Sequence, residues 1–239
     1  MRRPPLMLPL LLLTSASLAS ACFAHAQTSE IISHYMAESD VYAPIYNGKI
    51  PPAYSYDVEG TFFLESLDHY KGSLVYDGKL YTDLVLNLNV HLDELYISKP
   101  GKRISSIVAK EFVSSFTLGD MQFEQIRKEE EPGVPQSGYY QVLFKGQHVK
   151  MLKRTRKLYG SNTPQEGHAS HIFTAATTYY VVCDGIYTPV KNKGSFLGAL
   201  ASQKKQLKQF IKDNALDFSK GQRDITFARC AAYFDSLDQ

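Results

Sequence analysis

From Leu80 to Leu92 the chain alternates with period two. Leu80, Thr82, Leu84, Leu86, Leu88, Val90 and Leu92 fall on one side, and Tyr81, Asp83, Val85, Asn87, Asn89 and His91 on the other. A helix would scatter these leucines around its circumference. The alternation therefore predicts a long strand, with one face in a core and the other mostly in water. Just upstream, Val75-Tyr76-Asp77-Gly78-Lys79-Leu80 is a hairpin signal, because Asp-Gly supplies the positive φ that a two-residue type I′ turn needs. The signal recurs at Val182-Cys183-Asp184-Gly185-Ile186-Tyr187 and, more weakly, at Leu143-Phe144-Lys145-Gly146-Gln147-His148. Pro100-Gly101 and Gly119-Asp120 mark further turns.

Between these marks lie short segments of β-branched and aromatic residues: 95–98, 103–109, 113–118, 121–126, 139–144, 149–158, 171–175, 178–183 and 186–190. Sequential strands joined by short turns pair with their neighbours, giving an antiparallel sheet. The acidic, then Pro- and Gly-containing stretch 128–138 reads as a solvated connector, as does 159–167. After residue 194 the period changes. Phe196, Leu197, Leu200, Leu207, Phe210 and Ile211 make an apolar stripe, with Lys204, Lys205, Lys208 and Lys212 on the remaining turns. This predicts an amphipathic helix from Ser195, its N-cap, to Asn214, its C-terminal stop. Ser219 and Gln222 have capping-box spacing and open a second helix to about Leu237, whose buried stripe is Phe227, Ala228, Ala231 and Phe234. The fold class is α+β and predominantly antiparallel: a curved meander sheet or partial barrel with two C-terminal α-helices, at about 194–237.

Composition sharpens this picture. The 239 residues include 16 Tyr and 13 Phe but no Trp, a usage that suits strands. The start of the chain reads as an export signal. Met1-Arg2-Arg3 is basic, Leu6–Leu13 is apolar and broken by Pro9, and Ala24-His25-Ala26 is a small-x-small cleavage site before Gln27. The apolar run is too short to span a bilayer comfortably. A rival reading takes Cys22, preceded by Leu18-Ala19-Ser20-Ala21, as a lipid-modified N-terminus and so as an anchor. The domain plan is a signal peptide at 1–26, an N-terminal extension at 27–58, and one β-rich domain at 59–239. Loss of Arg2 and Arg3 takes Lys plus Arg from 26 to 24, equal to Asp plus Glu, and a neutral mature chain speaks against nucleic acid as a partner. Two cysteines then remain, Cys183 and Cys230. In an exported protein they pair as a disulfide or stay as buried thiols, and their spacing does not choose.

Candidate chemistry is sparse. His168 and His171 stand three residues apart at a loop-to-strand junction without a third ligand, so neither metal nor cofactor is expected. Lys193-Gly194-Ser195-Phe196-Leu197-Gly198 fails the spacing of a nucleophile elbow. Asp93-Glu94 falls where a turn is expected, and turns favour Asp. The most distinctive charge feature is Lys150-Met151-Leu152-Lys153-Arg154-Thr155-Arg156-Lys157. In a strand Lys150, Arg154 and Arg156 share one face, and Lys153 and Lys157 the other. That pattern predicts a protruding or edge-guarding strand, or else a patch (Lys150, Lys153, Arg154, Arg156, Lys157) for an anionic partner such as an envelope protein or charged surface. A transmembrane barrel is disfavoured by the two helices and by the missing Trp of an aromatic girdle.

Tyr139-Tyr140-Gln141-Val142-Leu143-Phe144-Lys145-Gly146, the basic strand through Lys153-Arg154, Tyr179-Tyr180-Val181-Val182, the Lys-rich helix, Tyr233-Phe234-Asp235-Ser236-Leu237 and Val75–Tyr81 together resemble a group of exported proteins of Bacteroidota. The likeness runs over about Gly60 to Leu237. It implies a Gram-negative envelope location; the group carries no assigned activity, so it transfers no catalytic or ligand residue. The expected function is a non-catalytic envelope protein of binding or structural type. The alternatives are a periplasmic carrier of an apolar ligand such as a lipid or lipoprotein, with Leu84, Leu86 and Leu88 lining a cavity, and a hydrolase or metal enzyme.

Overall fold

The computed structural model describes residues 44–52, 58–99, 105–131, 133–162 and 170–237. Residues 45–239 form one compact unit. The signal, Cys22, the site after Ala26, and His168 lie outside the described residues.

The strands are β1 (Val58–Glu59), β2 (Tyr70–Tyr76), β3 (Lys79–Asn89), β4 (Glu94–Ser98), β5 (Ser105–Ile107), β6 (Val113–Leu118), β7 (Met121–Ile126), β8 (Gly138–Lys145), β9 (Lys150–Asn162), β10 (Ser170–Cys183) and β11 (Ile186–Val190). They form a single sheet in the order β1-β10-β9-β8-β7-β6-β2-β3-β4-β5, with β11 also on β10. Every pairing is antiparallel except the short β1–β10 ladder. The expected antiparallel meander is therefore the architecture found. The sheet is curved. Beyond Lys153, β9 leaves β8 and reaches the β3–β4 turn, where the Lys157 N–H donates to the Val90 carbonyl at 3.3 Å.

The hairpin signals hold for a stated reason. Asp77 and Gly78 have φ of 50° and 72°, and Asp184 and Gly185 of 51° and 73°, so both turns place two residues in the left-handed region. At β3 the alternation breaks. Between the pairs Gly72↔Leu84 and Leu74↔Tyr81, β3 spends one more residue than β2, and Asp83 sits at φ 55°. This bulge reverses the facing of everything before it. Leu84, Leu86 and Leu88 are buried, whereas Leu80 is 65% exposed. The other expected departure from the core also fails: Asn87 and Asn89 are fully buried rather than in water. Asn87 Nδ2 donates to the carbonyls of Ser66 (3.2 Å) and Asp68 (2.9 Å), and Asn89 Oδ1 accepts the N–H groups of His91 and Leu92. These bonds meet the rule that buried amides must be satisfied, and they shape the β3–β4 turn.

The helices are α1 (Lys193–Ala199), α2 (Lys204–Asp213) and α3 (Arg223–Leu237). The first expected helix is thus divided. Leu200 leaves helical geometry (φ −111°, ψ 49°) and a 3-10 turn at Ala201–Gln203 links the halves. Its N-cap is Asn192, in a reciprocal capping box with Ser195. α2 ends with Ala215 at φ 46°, Ala215 N–H on the Lys212 carbonyl and Leu216 N–H on the Ile211 carbonyl, a Schellman arrangement. Phe196, Leu200, Leu207 and Phe227 pack on Met151 and Val181, covering one face of the β8–β11 region. Tyr140, Leu152, Val182 and Tyr187 form a second cluster with Ile126 and Val134. At the far end of α3, Asp235 clamps the β8–β9 turn. Its carboxylate accepts N–H groups from Gln147 (3.1 Å), His148 (2.7 Å) and Val149 (3.2 Å).

Two outcomes follow. Glycine at 215 relieves the left-handed alanine, so Ala215→Gly raises unfolding stability by about 1 kcal/mol in urea titration. Burial would raise the Asp235 carboxyl, but its three N–H donors outweigh that and hold it below the usual carboxylate range. A lowered folded-state value means stabilisation that is present above the unfolded value of about 3.9 and is lost as pH falls through the folded value. The stability difference between wild type and Asp235→Asn is therefore flat from neutral pH to about 5 and shrinks in more acid solution.

Candidate functional site

β9 runs between β8 and β10 inside the sheet, not at an edge, and each of its five cations meets an acceptor. Lys150 Nζ lies 3.5 Å from Glu124, which also holds Lys145 at 2.5 Å. Burial pushes the Glu124 carboxyl up, but these two ammonium groups outweigh it and hold it low. Lys153 Nζ is 2.6 Å from Asp224 at the start of α3, and Asp224 also accepts the Tyr179 hydroxyl at 2.6 Å. Arg156 donates to the His91 carbonyl at 3.3 Å, and Lys157 donates to the Phe63 carbonyl. Burial pushes the Lys157 ammonium below its ordinary value. Arg154 is 6% exposed. It donates to the carbonyls of Gln136 (3.0 Å) and Ser137 (3.1 Å) and to the Tyr140 hydroxyl (3.1 Å). What reads along the sequence as a basic surface is, in the fold, a row of internal tethers. The expectation of a protruding or edge-guarding strand is corrected accordingly: acceptors on both faces let a basic strand lie centrally.

One of these tethers, Arg154, reaches Asp93. Asp93 occupies the β3–β4 turn at φ 61°, a conformation that Asp tolerates, and it is buried. Its Oδ2 takes Lys110 Nζ at 2.6 Å and faces Arg154 at 3.8 Å, and its Oδ1 accepts the Tyr139 N–H at 3.3 Å. Lys110 also donates to the Asp93 carbonyl at 2.9 Å and sits 4.6 Å above the Tyr139 ring. Gly138 has φ 153°, and a Cβ there would fall 2.4 Å from Asp93 Oδ2 and 2.6 Å from an Arg154 nitrogen. Both atoms are pinned by the network, so only glycine fits.

On the solvent side of this knot a cleft of about 520 Å³ opens between the 47–49 segment, the start of β4 and the 3-10 turn before β6. The Ile107 N–H donates to the Lys49 carbonyl at 2.8 Å and fixes one wall. Leu92, Ile107 and Val108 supply apolar lining, and Lys49, Glu94, Lys110 and Glu111 supply charge. Glu94 is the anomalous member. Its Oε2 is buried without a hydrogen-bond donor, and burial raises its carboxyl, an effect only partly opposed by Lys110 and Lys49. Lys110 cannot serve it fully, being committed to Asp93 at 2.6 Å. Sequence reading treated Asp93 and Glu94 as turn carboxylates. The useful signal was their adjacency to a buried Asn89 turn, and nothing in the spacing connects them with Lys110.

The remaining candidates do not assemble into a site. Cys183 and Cys230 both belong to the helix–sheet cluster, and burial pushes the Cys230 thiol up to about 12. His171 stacks on Tyr159, with ring centres 4.9 Å apart, and His148 sits on the Asp235 clamp through its backbone. Among the described residues no group of three or more His, Cys, Asp or Glu side chains could hold a metal ion. No helix of the described residues is long and apolar enough to cross a membrane. Leu84, Leu86 and Leu88 are at most 3% exposed, so they line no open cavity. The C-terminal helices pack elsewhere, on Met151 and Val181.

Removing the Asp93 side chain leaves Arg154 buried without its counter-charge. Asp93→Ala therefore loses about 3–5 kcal/mol in urea unfolding, and Gly138→Ala loses at least about 1 kcal/mol by forcing the same pair apart. Compared with family models, curated proteins and solved structures, the chain matches none of them.

Proposed function

We propose that the chain is a non-catalytic binding protein of the cell envelope, which holds a small ligand in the cleft beside Glu94. The observation that carries this reading is the make-up of the cleft. Its lining has a desolvated carboxylate and an apolar wall, but no Ser, Thr, Cys, His or Tyr among the described residues. Asp93 and Lys110 neutralise each other at 2.6 Å. Such a wall offers an apolar side and a few charged groups that orient a bound molecule. The envelope part of the proposal rests on the signal-like order of residues 1–26 and on the resemblance to exported proteins of Bacteroidota.

The test is native mass spectrometry on protein purified from its own cells after fractionation. The expected result is envelope protein starting at Gln27 that retains a small molecule, with occupancy lowered in Ala109→Phe, which fills the cleft. A start at Met1 in the cytosolic fraction overturns the location, and an acylated Cys22 replaces simple cleavage by anchoring. Occupancy unchanged by Ala109→Phe removes the cleft from the reading.

A further inference from the structure

Resting on that binding reading, we infer that the cleft selects a ligand with a protonated amine on a short apolar body, and that Glu94 is the residue that takes the ammonium group. Three observations lead there. The first is the charge balance of the lining. Of Lys49, Asp93, Glu94, Lys110 and Glu111, the pair Asp93–Lys110 is closed at 2.6 Å. Arg154 stands behind that pair, 3.8 Å from Asp93 and outside the lining, so within the lining itself two carboxylates remain against one ammonium. Glu111 and Lys49 are both exposed at the mouth, where solvent screens them, so the desolvated Glu94 dominates recognition.

The second is the unmet hydrogen bond. Glu94 Oε2 is buried with no donor, although native folds satisfy nearly all such atoms. The two nearest cations do not fill the need. Lys110 is held by the Asp93 carboxylate and carbonyl together, and Lys49 points from an exposed position. A ligand N–H group supplies the missing donor, and a charged one does so with about twice the strength of a neutral one. An anionic ligand would instead meet Glu94 at close range in a partly dehydrated site.

The third is the wall opposite. Leu92 is 43% exposed, and with Ile107, Val108 and Ala109 it gives the cleft an apolar side. A volume of about 520 Å³ accommodates a small organic body rather than a polymer segment. Ammonium at Glu94 and a short alkyl or aryl group on Leu92 and Ile107 use both features together.

The experiment is an amide NMR titration of the full chain with n-butylammonium, n-butyrate and n-butanol, three probes of one size and different charge. Binding of n-butylammonium on the order of millimolar is expected, with shifts at 92–94 and 107–111. Glu94→Gln weakens it tenfold or more. The same variant melts no lower than wild type, because it removes a charge whose burial costs more than Lys110 and Lys49 return. Lys49→Ala strengthens n-butylammonium binding, and affinity falls as acid protonates Glu94. Equal binding to Glu94→Gln, or stronger binding of n-butyrate or n-butanol at the same residues, overturns the amine assignment while leaving a ligand-binding cleft in place. Absence of shifts at 92–94 and 107–111 with all three probes overturns the amine assignment, and the binding reading falls with it if the native protein also carries no small molecule.

Discussion

The fold is organised around a largely buried carboxylate, Asp93. Asp93 joins four segments that are distant in the chain: the β3–β4 turn that carries it, Lys110 ahead of β6, Tyr139 at the start of β8, and Arg154 in the middle of β9. A buried charge of this kind is costly unless it is matched, and it is matched here by two cations and a backbone donor. The match falls where β9 parts from β8. For Arg154 to face Asp93, β9 has to bend away from β8 and approach the β3–β4 turn, where Lys157 and Arg156 then meet backbone carbonyls. The ion pair is thus less a source of net stability than a specification of register: alternatives that slide β9 by one residue would turn Arg154 away from its acceptors.

The same geometry explains why the cleft and the knot are adjacent. Asp93 and Glu94 are consecutive, so they project to different surroundings at the end of the turn. Asp93 turns in and takes Lys110; Glu94 begins β4 and is left beside the space in front of Lys110. Satisfying one carboxylate has used the donor that the other would have shared. The unsatisfied group is a by-product of the structural one, and it is the feature on which recognition is built in the proposal above.

Much of the scaffold was legible because it rests on local rules. Period two, Asp-Gly turns and a period change after residue 194 each have one physical meaning, and the strands at 113–118, 121–126 and 186–190 fall at those bounds. The misreadings have a common origin in long-range chemistry. Asp83 looks like any polar strand residue, yet its left-handed conformation inserts a bulge and turns Leu80 outward. Asn87 and Asn89 look solvent-facing, yet they are bonded within the protein to Ser66, Asp68 and the following turn. The segments 171–175 and 178–183 look separate, yet β10 runs unbroken because all of it pairs with β9. The basic strand misled most, since a sequence displays cations but not the carbonyls of Phe63, His91, Gln136 and Ser137 that receive them. Glu94 was invisible as a site for the converse reason: an absent donor has no letter in the sequence.

The Asp235 clamp sets an order of assembly. The β8–β9 hairpin closes over a few residues, but the carboxylate that secures its turn arrives 86 to 88 positions later. Until α3 has been made and docked, Met151, Val181 and Phe196 have no Phe227 to cover them, and the turn's N–H groups are left to water. Closure over that separation is slow compared with hairpin formation. Docking of α3 therefore completes both the apolar face of the sheet and the capping of the β8–β9 turn.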